Sequence, residues 1–352
     1  MATIDDDVYF VGDAATGDTQ LFSAIEDANG NFTVSQLTTA PVGGSGIDIR
    51  GLFPVGQSKV FFSEKVGTVT WQLWRFDAFD QNVKQLGIFR NHDGVSADLL
   101  RHAHDLNGLL LFAADDGADS NSDGQPDGVQ LWSSDGQTNT NPVMVLSAPG
   151  IDAIPMAFGQ HEDLAYFLAF DTVSGKQQIN LWSTDGTSAK TNKVDRLDSD
   201  SQPFTGNRHD VMTFELAVAN DHVFASIDLQ DGSTSALQLW AHLPGFAGTL
   251  QVVSASAAGG LLNRLTPVDG ALLYQLKDGG GRPGIYTTTG IPRSGSSAIY
   301  EFASFGISGT TVLADSVVCV ADAGLWITGL DTGEAVPVRY NGSVAGTVTV
   351  EL

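Results

Sequence analysis

Short, nearly continuous apolar runs recur along the chain, and each is followed by an aliphatic-aromatic pair. The runs fall at residues 8–11, 60–62, 110–112, 165–167, 222–225, 272–274 and 317–320, and the pairs are Leu21-Phe22, Leu73-Trp74, Leu131-Trp132, Leu181-Trp182, Leu239-Trp240, Ile285-Tyr286 and Leu325-Trp326. Successive aromatics stand 52, 58, 50, 58, 46 and 40 residues apart, a period that belongs to propellers, solenoids and arrays. The runs are rich in β-branched and aromatic residues and are separated by Gly/Asp turns, which predicts strands and an all-β chain. In the second repeat, residues 59–63, 72–76, 83–88 and 97–105 read as four successive strands.

Strands with apolar residues on both faces are covered on both sides. The continuous runs are therefore assigned to the second strand of a four-stranded blade, and the pairs to the third strand, near 20–24, 72–76, 130–134, 180–184, 238–242, 284–288 and 324–328. Outer strands are expected at 32–37, 143–147 and 336–340. The chain then opens on a second strand and ends on an alternating segment, 347–351, with no repeat after it. Pairing that C-terminal strand into the N-terminal blade removes the exposed edges of an open array. The expected architecture is one domain over residues 1–352, a seven-bladed β-propeller of four-stranded antiparallel blades.

The aromatic of each pair holds a fixed place in the repeat, which points to packing between blades rather than to a carbohydrate platform. The Asp-Gly that follows Trp132 and Trp182 marks a hairpin, because glycine takes positive φ at no steric cost. Residues 111–117 with 130–136, and residues 180–187 with Lys190-Thr191, resemble the bacterial repeat written Glu-Leu-Trp-x-x-Asp-Gly-Thr, with Gln130 or Asn180 in the place of Glu. The other five repeats match in outline. The resemblance implies a secreted or surface-exposed bacterial β-propeller and no particular reaction.

Composition narrows the partners. The chain carries 41 acidic against 17 basic residues, a formal charge of −24, which argues against nucleic acid and anionic membranes. A solvated acidic surface, a salty medium and cation binding all fit it. No apolar run approaches the length of a membrane span, so no direct membrane insertion is expected. Cys319, the single cysteine, leaves no internal disulfide. The N-terminus carries no basic or apolar leader segment, leaving a cytosolic protein or a secreted one whose leader has been removed.

One segment has the spacing of a metal loop. Asp119, Asn121, Asp123, the Gln125 carbonyl and Asp127 supply oxygens at positions 1, 3, 5, 7 and 9 of a calcium loop, with Gly124 at position 6 for the reversal. Position 12 is Gln130 rather than Glu, so a further carboxylate would come from elsewhere, Asp115 and Asp116 being near. The pattern is similar to the Asp-rich loops of dockerins and thrombospondin type 3 repeats. Ca2+ is the expected cofactor, in a structural role; an ordinary Asp/Ser/Gly surface loop is the alternative.

A second group is expected on the inner strands. Aligning the repeats places Arg50 and Arg101 at equivalent positions, with Met156, Thr213, Asn263 and Ser308 in other blades, and His102 and His104 nearby, two apart on one strand and so on one face. Such a cluster suits a carboxylate or sulfate and a proton abstraction; it equally suits polar side chains filling a wet channel. No Gly-x-Ser-x-Gly, cysteine nucleophile or phosphate-cradling glycine loop accompanies it. The sequence thus points to a non-enzymatic extracellular or cell-surface scaffold whose partners are other surface proteins or a polysaccharide. The alternatives are a lyase-like enzyme or carbohydrate-binding propeller using Arg50, Arg101, His102 and His104, and a cytoplasmic protein-binding hub.

Overall fold

A computed structural model describes residues 1–14, 18–39, 48–66, 70–90, 99–118, 128–137, 141–144, 153–173, 176–197, 211–231, 234–257, 261–268, 270–277, 284–289, 297–301, 309–313, 316–321, 324–329 and 335–337. Their regular structure is β throughout, in seven sheets of four antiparallel strands, with one 3-10 turn at Ser188–Lys190. In every sheet the strands pair in chain order. The chain divides into two compact units, Met1–Asp198 and Ser199–Leu352.

Unit one holds four sheets. The first is Ala2–Ile4, Asp7–Asp13, Thr19–Glu26 and Phe32–Gln36 (β1–β4); the second is Ile49–Val55, Lys59–Val66, Thr70–Asp77 and Asn82–Arg90 (β5–β8). The third is His104–Leu106, Leu109–Ala114, Gln130–Ser134 and Asn141–Met144 (β9–β12), and the fourth Met156–His161, Leu164–Val173, Lys176–Thr184 and Asn192–Arg196 (β13–β16). Unit two holds Val211–Ala219, His222–Asp231, Thr234–His242 and Leu250–Ala257 (β17–β20), then Leu261–Val268, Ala271–Lys277, Gly284–Thr288 and Ser297–Glu301 (β21–β24). Its last sheet is Gly309–Leu313, Ser316–Ala321, Gly324–Gly329 and Ala335–Pro337 (β25–β28).

Each apolar run lies in the second strand of a sheet and each aliphatic-aromatic pair in the third. In β6, five consecutive residues from Val60 to Glu64 are buried, the signature of a strand covered on both faces. In unit one the cover is the neighbouring sheet. Tyr9 and Leu21 pack with Val60, Phe62 and Phe76 between the first and second sheets; Phe61, Trp71 and Phe89 pack with Leu110, Phe112 and Trp132 between the second and third. Leu111 and Leu131 pack with Phe167 and Trp182 between the third and fourth. In unit two, Phe224, Leu237 and Leu239 pack with Leu262, Leu272 and Tyr274. Each such side chain contributes about 1.5–3 kcal/mol when fully buried.

The aromatics join this packing in two directions. Phe22, Trp74, Trp182 and Tyr286 stack on the residue directly across the second strand, namely Phe10, Phe62, Phe167 and Tyr274. Trp132 also meets Phe89 of the preceding sheet edge-on, at 5.3 Å between centroids, and its indole N–H donates to the Ala114 carbonyl at 2.8 Å.

Two details differ from the sequence reading. The place beside β2 that was expected for residues 347–351 is taken by β1, through the pairs Ala2–Tyr9, Thr3–Val8 and Ile4–Asp7. The chain thus begins on a first strand, because Asp5 adopts positive φ and turns it back within two residues; residues 347–351 lie outside the described residues. In the second repeat, the segment 83–88 is the fourth strand rather than the third, and the described part of 97–105, from residue 99 on, leads into the next sheet.

A bulge recurs in the fourth strands. The step from the aliphatic to the aromatic residue of the pair coincides with a register shift in five sheets, and the extra residue opposite it is Leu86, Val143, Val194, Val252 or Ile299. An extra residue bends and twists its strand. Leu86 and Val252 lodge against the hydrophobic clusters between sheets.

Candidate functional site

Within each meander the first and third hairpins share one end, and the second-to-third connection lies at the other. The expected calcium loop, Asp119 to Asp127, joins β10 to β11 at that second end and lies outside the described residues. Its flanks are placed. Asp115 is buried, its carbonyl accepts from Arg90 N–H at 2.6 Å, and its Oδ1 accepts from Gly117 N–H at 2.6 Å. Asp116 Oδ1 accepts from Ala118 N–H at 2.8 Å. Both carboxylates thus hold the turn that leads into the loop.

Gln130, the residue at loop position 12, is buried on β11. The same place before the aliphatic-aromatic pair is filled by Gln20, Asn180 and Gln238, all buried. Gln20 shows what such an amide can do: its Oε1 accepts from the Thr38 hydroxyl at 2.7 Å, and the Thr38 oxygen in turn accepts from Leu21 N–H at 2.9 Å. Gln130 occupies a position set by the repeat.

The expected Arg/His cluster is dispersed over two sheets and a turn. Arg50 is the extra residue of a first-strand bulge, between the pairs Ile49–Glu64 and Gly51–Ser63. Its guanidinium is half-exposed and closes on Asp48 through Nε–Oδ1 at 2.7 Å and Nη2–Oδ2 at 2.8 Å. Bulges recur in the first strands that hold Met156, Thr213 and Asn263, and Arg264 sits in the last of them at positive φ. Ser308 lies outside the described residues.

Arg101 is exposed in the turn of residues 99–102, where Ala103 N–H donates to the Leu100 carbonyl at 3.1 Å. Leu99 and Leu100 anchor that turn in the hydrophobic cluster between the second and third sheets. His102 lies in the turn and His104 opens β9, so the two do not share one strand face. The His104 ring stacks on Phe158 of the fourth sheet at 5.7 Å and 10°, and the stack continues to Phe167 and Trp182. Burial holds the imidazole below its ordinary pKa, against the pull of the Asp105 carboxylate.

Sequence reasoning missed what Asp105 does. Its Oδ2 accepts from Gly56 N–H of the second sheet and its Oδ1 from Gly108 N–H of its own hairpin, both at 2.7 Å. Next to it, Asn107 accepts from Gln160 Nε2 at 3.0 Å and donates to Asp163 Oδ1 at 3.4 Å. One carboxylate and one amide therefore clamp the hairpin ends of three consecutive sheets. A visible signal existed, the Asp-x-Asn-Gly spelling of residues 105–108, which reads as a turn but not as a clamp.

No family model matches the chain, and no curated protein matches it. Among solved structures it is similar to an uncharacterised protein of Listeria monocytogenes, with 12% identity, 94% of this chain and 90% of that one covered, and a TM-score of 0.43. It is also similar to an ulvan lyase bound to its sulfated uronate-rhamnose substrate, with 9% identity, 80% of each chain and a TM-score of 0.41. A putative 6-phosphogluconolactonase of Bacteroides fragilis shares 13% identity over 96% of each chain, at a TM-score of 0.36. At these values the likenesses carry no assignment of family or activity.

Proposed function

We propose that the chain is a seven-bladed β-propeller acting as a non-enzymatic scaffold and binding module outside the cell or on its surface, with Ca2+ stiffening the Asp119–Asp127 loop. The observation that carries the non-enzymatic reading is the local engagement of two of the four candidate catalytic groups. Arg50 is closed on Asp48, and His104 is walled in by Phe158. A base must reach the proton it removes, and an anion-binding arginine must have its fork free. The propeller is supported by seven four-stranded meanders, each with its aliphatic-aromatic pair on the third strand. The bacterial Glu-Leu-Trp-type resemblance supports the surface location, and the oxygen-only donors at Asp119, Asn121, Asp123, Gln125 and Asp127 suit a hard cation.

Two measurements test this reading. Thermal unfolding in millimolar CaCl2 against EDTA is expected to show a higher Tm with calcium, and loss of that difference in Asp123→Ala. Incubation with uronate-containing and sulfated polysaccharides is expected to yield no new reducing ends and no unsaturated uronate absorbance. Turnover abolished by Arg101→Ala at unchanged Tm would instead establish the lyase-like alternative.

A further inference from the structure

Six of the seven outer strands carry a feature that blunts an exposed sheet edge, and β4 carries none. Bulges interrupt β8, β12, β16, β20 and β24. Lysine stands in β8 and β16 as Lys84 and Lys193, and proline in β12 and β28 as Pro142 and Pro337. These are the devices by which natural sheets discourage another chain from pairing. Strand β4 reads Phe32-Thr33-Val34-Ser35-Gln36 and pairs with β3 over five consecutive residues without a shift.

The free side of β4 has a defined chemistry. All five residues are exposed, Phe32 by 60% and Val34 by 59%. Asp27 N–H donates to the Asn31 carbonyl, and Leu37 N–H to the Leu21 carbonyl. Alternation along an antiparallel pair then turns the backbone groups of Thr33 and Ser35 toward β3 and those of Phe32, Val34 and Gln36 outward. The outward-facing peptide groups thus belong to the residues with the exposed apolar side chains. Asp27 fixes the hairpin that presents them, its Oδ1 accepting from Asn29 and Asn31 N–H at 2.8 and 2.9 Å.

Charge selects the occupant. Residues 1–49 contain no lysine or arginine, while Asp5, Asp6, Asp7, Asp13, Asp18, Glu26, Asp27 and Asp48 lie among them. A second copy of the chain would meet like charge. We propose that β4 is a docking edge for an extended, basic segment of a partner protein, which adds as a fifth strand to the first sheet. Its backbone pairs with Phe32, Val34 and Gln36, its apolar residues cover Phe32 and Val34, and the acidic surroundings of this sheet attract its cations. This edge stands whether or not the calcium loop binds its ion or the chain acts on a polysaccharide.

The test uses a fluorescein-labelled decapeptide of alternating lysine and valine, with an alternating glutamate-valine peptide for comparison, read by anisotropy on the full chain. The lysine-valine peptide is expected to bind and the glutamate-valine peptide not to. Val34→Pro removes one outward N–H while leaving the ladder to β3, and Val34→Lys guards the edge; each is expected to weaken binding at least tenfold. Gln57→Lys makes the same charge change at an exposed position in the β5–β6 turn of the second sheet, away from the edge, and is expected to bind as the wild type does. If Val34→Pro misfolds, the contrast between Val34→Lys and Gln57→Lys decides. Equal binding by Val34→Lys and wild type would mean diffuse charge attraction and overturn the proposal. So would absence of binding, or self-association of the wild type that Val34→Lys relieves.

Discussion

Gly186, in the turn that closes the fourth sheet's third hairpin, lies directly against Leu109 of the third sheet; a Cβ at position 186 would collide with Leu109 Cδ2. The neighbouring repeat makes the same contact one sheet earlier. A Cβ at Gly136 would stand 2.8 Å from Arg75 Cδ and 3.1 Å from Phe61 Cζ, and the Lys59 ammonium donates to the Asp135 carbonyl at 2.8 Å. Both glycines hold positive φ, +87° at Gly186 and +76° at Gly136. The Asp-Gly of the repeat is therefore a turn and a docking point between sheets. Gly186→Ala is expected to cost about 1–3 kcal/mol, since strain at φ and the clash act together. Urea unfolding compares it with Gly245→Ala, also at positive φ but with open space around it, which isolates the clash.

Burial of His104 against Phe158 makes the stability of unit one depend on pH. The folded imidazole titrates below its ordinary value. As the pH drops below about 6.5 the unfolded histidine takes up a proton that the folded one resists. The contribution is whole above that pH and is lost progressively as pH falls toward the folded-state value. His104→Phe keeps a stacking ring and removes the titration. Thermal unfolding between pH 7 and 5 is expected to show a shallower loss of Tm in this variant than in the wild type.

Glu64 works in the opposite sense. It is buried on β6, and burial pushes its carboxyl above the ordinary range. A raised folded-state pKa means that stability is present at low pH and lost as pH rises through it. Glu64→Gln, which cannot ionise, is expected to raise Tm at pH 7 and to change it little near pH 4. A lower Tm at pH 7 would mean that the carboxylate is needed as an acceptor.

The Arg50–Asp48 pair is solvent-exposed, with side-chain exposures of 52% and 38%. Exposed pairs of this kind contribute about 0–1 kcal/mol. Arg50→Ala is expected to leave the unfolding midpoint within that margin, measurable by chemical denaturation with and without 1 M NaCl. A large loss would mean that the first-strand bulge depends on this side chain.

The repeat was legible from Trp132 and Trp182 because packing between sheets needs a large side chain at one fixed place, and second strands such as 60–64 were legible because cover on both faces leaves no polar alternation. Strand position followed from the same pattern, so 20–24 and 130–134 are third strands. The clamp at Asp105 was not legible: an Asx turn has the same spelling whether its second oxygen meets water or Gly56 of the next sheet. His102 and His104 looked like neighbours on one face because the turn at 99–102, anchored by Leu99 and Leu100, cannot be inferred from alternation. The fourth-strand bulges escaped for a related reason, since Leu86 and Val252 read as ordinary strand residues. By itself the sequence determined the all-β class, the second and third strands of each sheet and the residues that pack, because these follow from side-chain period and turn chemistry along the chain. The tertiary structure decided what Asp105 and His104 meet, because Gly56 lies 49 residues from Asp105 in sequence and Phe158 belongs to the next sheet, and only packing brings such partners together.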